Sequence, residues 1–157
     1  MAEKIKVKVS DIRDKSKQTE PLEMPVIAMR GIVLFPKMVL HFDVGRQVSI
    51  RALNAAVQED RKIFMVAQKD IASDEIREDL LYTVGVVATV KQILKPQDSV
   101  LRVVVEGEYR AKVQEIVSLE PYIRAKTVEY PMRLPKHGNT ILCEALIRTV
   151  KDYFEEY

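Results

Sequence analysis

The chain has 157 residues, 47% hydrophobic and 31% charged, a balance that supports one packed core under a well-solvated surface. Its 25 Lys and Arg against 23 Asp and Glu leave a formal net charge of +2, too even for polyanion binding by overall field alone. A single cysteine, Cys143, excludes an internal disulfide and any multi-cysteine zinc site, and no apolar run approaches the roughly 20 residues that span a bilayer.

Along the chain, residues 1–20 come first. Ile5, Val7 and Val9 alternate with Lys4, Lys6 and Lys8, which is strand periodicity on a very short segment. The next ten residues have almost nothing to bury, so 1–20 read as a flexible tail rather than a tethered edge strand. Glu3, Asp11, Asp14 and Glu20 dilute it as a basic arm, and it lacks the long apolar stretch of a secretion signal. The expected setting is cytoplasmic.

Residues 25–29 suit a pleated, half-buried surface. Arg30-Gly31 interrupts them as a bulge or bend, and Phe35-Pro36 imposes extended backbone and removes an amide donor. A second strand is predicted over 38–44, with Gly45 as the turn before a helix over 47–60. Ile50, Leu53 and Val57 form that helix's apolar stripe, and Ser49 near its start is placed to satisfy a backbone donor. A buried strand follows at 62–67. The acidic stretch 68–81 reads mainly as loop, and its lack of glycine argues against a calcium loop.

The strongest strand prediction is 84–94, joined by a turn at 95–98 to a strand at 100–105 that Glu106-Gly107 ends. Alternation resumes at 109–113 and, after Pro121, over 122–128. Short connections favour antiparallel pairing, and so many strands favour a small barrel. Residues 130–135 read as a hinge. From Asn139 a helix follows with Ile141, Leu142, Ala145, Leu146, Val150 and Tyr153 on a broad apolar face, capped by Asn139 or Thr140. With no stop signal at its end, that helix reads as the beginning of a helical domain that continues; the alternative is a true terminus docked back on the barrel. The fold class is mostly β with helices (α+β): a tail over 1–20, a pseudo-barrel over 21–130, then hinge and helix over 131–157.

The residues that could carry chemistry do not assemble into a motif. Gly31, Gly45, Gly85, Gly107 and Gly138 are too dispersed for a phosphate-cradling loop. His41, between Leu40 and Phe42, reads as a structural strand histidine, His137 as a solvated hinge residue, and Cys143 as helix packing. No catalytic, cofactor-binding or metal-ligating residue is expected. Function must then lie in surfaces, and the candidate contact residues are Val33, Leu34, Phe35, Pro36 and Met38. Either they fill the barrel or several project as an exposed apolar patch. Met24, Met29, Met38, Met65 and Met132 are adaptable enough to line such a patch, and a free strand edge would add backbone hydrogen bonding.

Several of these residues also carry a family likeness. Arg30-Gly31, Val33, Phe35-Pro36, Val44-Gly45-Arg46, Ser49-Ile50 and Ala52, in that order and spacing, resemble the start of the amino-terminal domain of bacterial Lon ATP-dependent proteases. The resemblance continues through IFMVAQKD at 63–70, LYTVGVVA at 81–88, and Val105-Glu106-Gly107 with Arg110, covering most of 24–130. It implies a PUA-like barrel that recognises exposed apolar segments of misfolded and regulatory proteins and supports assembly of an ATP-dependent serine protease. The implied partners are unfolded proteins, the protease's own ATPase (AAA+) and protease domains, and further copies of itself. ATP and Mg would belong to those other domains. The serine–lysine dyad of the family has no matching segment in this chain. A second reading follows from the likeness to pseudouridine-synthase-associated barrels: a stand-alone RNA-binding or protein-interaction module. In that reading Arg110, Lys112, Arg124 and Lys126 form a basic strip, with Tyr122 available for stacking.

Overall fold

A computed structural model of the chain describes residues 20–95, 100–132 and 140–157. The tail up to residue 19, most of the predicted 95–98 turn, and the hinge from 133 onward with His137 and Asn139 lie outside the described residues. The chain divides into a unit within 16–131, which holds the barrel, and a second that includes the last helix.

The elements are β1 (Leu22–Met29), β2 (Val39–Val44), α1 (Gln47–Gln58), β3 (Lys62–Ala67), β4 (Val84–Leu94), β5 (Leu101–Ser118), β6 (Arg124–Glu129) and α2 (Thr140–Glu156). The fold is mostly β with two helices, as the sequence predicts. Among the described residues all six strands belong to one sheet, ordered β2-β5-β4-β3-β1-β6, and β6 also pairs with β5. That extra pairing closes five strands into a ring. β2 sits outside it, with β5 as its one strand neighbour among the described residues.

β1 and β3 pair in parallel, from Val26 opposite Phe64 to Met29 opposite Ala67, where short connections predict antiparallel neighbours. The reason is that β2 leaves to pair with β5, so α1 becomes a crossover between β1 and β3. Parallel strands of this kind are covered on both faces. Ile27, Met29, Ile63 and Met65 pack with Ala52, Leu53 and Ala56 of α1. Val26, Ala28, Phe64 and Val66 pack into a second cluster with Val87, Ala111, Ile123 and Ala125. Two-sided burial explains why 25–29 and 63–67 are unbroken apolar runs.

β5 does not end at Glu106-Gly107; it runs 18 residues, pairing first with β2 and β4 and later with β4 and β6. Register shifts between Val87/Ala88 and Val90/Gln92 bend the β4–β5 ladder, which is how so long a strand serves both the ring and its extension. α1 departs from expectation in one detail. Arg46 occupies its N-cap position without a side-chain cap, and Ser49 is buried one turn in. α2 presents Ile141, Leu146, Val150, Tyr153 and Phe154 as exposed residues, and Cys143 is exposed rather than packed. Among the described residues no helix is long and apolar enough to cross a membrane.

Candidate functional site

Between β1 and β2 the chain makes a type II turn over residues 35–38. The Met38 amide donates to the Phe35 carbonyl at 3.1 Å. Pro36 fixes the second position, and Lys37 takes the third with φ 68°. The turn is fastened to β5: the Lys37 amide donates to the Gly107 carbonyl at 2.8 Å, and the Gly107 amide donates to the Met38 carbonyl at 2.9 Å. A Cβ on residue 107 would run into the Phe35 carbonyl oxygen. Only glycine lets the turn lie this close to the strand.

With its backbone held, the turn projects apolar side chains. Phe35 is 62% exposed, Val33 56% and Met38 39%, with Ile32 and Val39 exposed beside them. Pro36 is half-buried. Leu34, grouped with them in the sequence, is 4% exposed and packs in the core beneath. Of the five methionines considered for a binding surface, Met38 joins this patch, Met24, Met29 and Met65 are core, and Met132 is exposed outside the turn. Several neighbouring large apolar side chains in water, on a rigidly fastened turn, make a surface that stability alone does not call for.

Beside the patch lies an open cleft of about 470 Å³, lined by Ile27, Met29, Ile32, His41, Phe42 and Arg46 among others. Arg46 is half-buried. Its Nη2 donates to the Ala28 carbonyl at 2.6 Å and its Nη1 to Gln68 Oε1 at 3.3 Å. Burial, and then repulsion from Arg30, lowers its pKa from the ordinary arginine value, with Asp74 opposing. Arg30 itself pairs with Asp74 at 2.6 Å, and Asp43 pairs with Arg102 through two bonds of 2.9 and 3.2 Å. Gln68 is buried; its Nε2 donates to the Ser73 carbonyl at 2.8 Å and the Glu75 carbonyl at 3.2 Å. It therefore ties the acidic 70–77 loop to the wall of the cleft. Sequence reasoning did not single out Gln68 or Arg46 for these roles, since polar residues between apolar runs carry no periodic signal.

The basic strip takes a different form. Arg124 donates to Glu23 at 2.8 Å, to Glu59 at 3.1 Å and to the Tyr122 hydroxyl at 2.8 Å, and Lys126 pairs with Glu115 at 3.2 Å. Arg110 lies over the Tyr130 ring at 5.1 Å. Phosphate binding along Arg124 and Lys126 would have to displace carboxylates already in place. His41 is exposed on β2. Among the described residues no group of three or more His, Cys, Asp and Glu side chains gathers where it could hold a metal.

Comparison with known proteins gives a consistent result. A family described as the ATP-dependent protease La (LON) substrate-binding domain matches residues 23–157. Lon protease of Desulforamulus reducens is 40% identical over 139 residues, covering 88% of this chain and 17% of the relative. Lon protease of Clostridium acetobutylicum is 43% identical over 134 residues, covering 85% of this chain and 17% of the relative. The chain thus spans 17% of the length of those relatives. The solved N-terminal domain of the Mycobacterium avium complex Lon protease superposes with a TM-score of 0.59 at 17% identity, over 87% of this chain and 76% of that one.

Proposed function

This chain belongs to the family of Lon protease substrate-binding domains, and on that premise we propose that it selects clients by contacting exposed apolar segments of unfolded polypeptides. The observation that supports this reading is the fastened turn, which holds Phe35, Val33 and Met38 out in water. An unfolded client offers scattered apolar side chains, and a patch containing a repackable methionine accepts many of them. The free energy available is modest. Covering a Phe and a Met side chain contributes on the order of 1.5–3 kcal/mol each before ordering costs. That magnitude suits capture that is tolerant, reversible and strengthened by several contacts along one client.

In this reading unfolding and cleavage occur in other domains of a longer, cytoplasmic, ring-forming protein that uses ATP and Mg and a serine nucleophile, and this domain hands segments on to them. Titration of the chain with a permanently unfolded protein, reduced and alkylated, tests the proposal. Binding of that form, with none of the same protein in its native form, is expected. Equal affinity for both forms, or tight salt-sensitive binding of single-stranded RNA in place of protein, contradicts it.

A further inference from the structure

β2 pairs with β5 on one side and, among the described residues, has no strand on the other. The ladder fixes which backbone groups face outward. Gly107 donates to the Met38 carbonyl, so in the register that sets Leu40 opposite Val105 and Phe42 opposite Val103, even-numbered residues of β2 exchange bonds with β5. By the alternation of antiparallel pairs, the N–H and C=O of His41 and Asp43 point to the open edge. Across the cleft, β1 is in the same condition at residue 28, whose carbonyl accepts from Arg46 instead of a strand.

The cleft is therefore a seam between two strand edges, lined by apolar side chains with Arg30, His41, Asp43 and Arg46 among them, and continuous at Ile32 with the exposed turn. Its charges are uneven. Arg30 pairs with Asp74, which also acts on Arg46 from a distance, and Asp43 pairs with Arg102, whereas among the described residues Arg46 makes its hydrogen bonds to neutral oxygens only. One positive charge is left in the seam.

Resting on the recognition role above, we propose that the seam receives an extended segment of the client polypeptide, added as a strand to the outer edge of β2, with an acidic side chain of that segment set against Arg46. Backbone pairing would supply sequence tolerance, the turn would take apolar side chains, and Arg46 would favour segments carrying a carboxylate.

The test uses the full chain and a blocked ten-residue peptide of alternating apolar and polar residues with one glutamate, acetylated and amidated so that its termini carry no charge. Amide exchange read by NMR should slow at least tenfold at His41 and Asp43 when the peptide is saturating. Replacing the peptide's glutamate by glutamine should weaken binding about fivefold. H41P, which removes an outward N–H and which an edge strand tolerates, should weaken it at least tenfold with the fold intact. Peptide that binds while His41 and Asp43 exchange as before would overturn strand addition and leave the apolar-turn reading standing. Protection of those amides without peptide would assign the edge to a second copy if it rises with protein concentration, or to the chain's own residues 1–19 if it does not, and overturns the proposal either way. Equal affinity for glutamate and glutamine peptides removes the role of Arg46. Failure to bind either peptide, while unfolded protein still binds, rejects the seam alone; failure with both rejects the recognition role itself.

Discussion

Gly107 and Phe35 meet backbone to backbone: the α-carbon of the one lies so close to the carbonyl of the other that no side chain fits between them. This contact fixes the turn that projects the Phe35 ring. G107A should lower stability by about 1–3 kcal/mol and lift the turn from β5. Urea unfolding monitors the first effect, and faster exchange of the Lys37 amide, which donates to Gly107, monitors the second. An unchanged Lys37 exchange rate would show that the turn holds its place without this contact.

Lys37 sits at φ 68° in the turn position where glycine is usual. A non-glycine residue there costs about 1–2 kcal/mol, against roughly 0.5–1 kcal/mol lost to the greater freedom of an unfolded glycine. K37G should therefore raise stability by about 0.5–1 kcal/mol, seen as a higher urea midpoint at unchanged slope. The side chain is exposed, so no packing loss offsets the gain.

Gln68 joins three partners at once, accepting from Arg46 and donating to the carbonyls of Ser73 and Glu75. Q68A would remove three part-buried hydrogen bonds, at a cost of about 1–3 kcal/mol. The 70–77 loop should become the first site of proteolysis, whereas α1 and β3 remain protected. Cleavage that begins elsewhere would place the loop's anchor outside Gln68.

Much of the barrel was legible because its signals are local. The apolar runs at 25–29 and 63–67, the stripe of Ile50, Leu53 and Val57, and the apolar set along 84–94 each report burial of one element. Three features escaped for physical reasons. The parallel pairing of β1 with β3 is set by where β2 goes, a non-local choice that neither strand encodes. Gly107 reads as a strand breaker, yet it sits inside β5 to admit a turn from 70 residues earlier. Within 32–38, Leu34 and Phe35 are equally apolar on paper. The bend of the turn alone sends Leu34 into the core and Phe35 into water.

The most direct test of client recognition through the turn is the affinity of F35D/M38D for a permanently unfolded protein, measured beside its urea unfolding curve. Both side chains are exposed, so stability should change by no more than about 0.5 kcal/mol and affinity should fall at least tenfold. A folded double variant that binds the unfolded protein as tightly as the original chain would contradict the account.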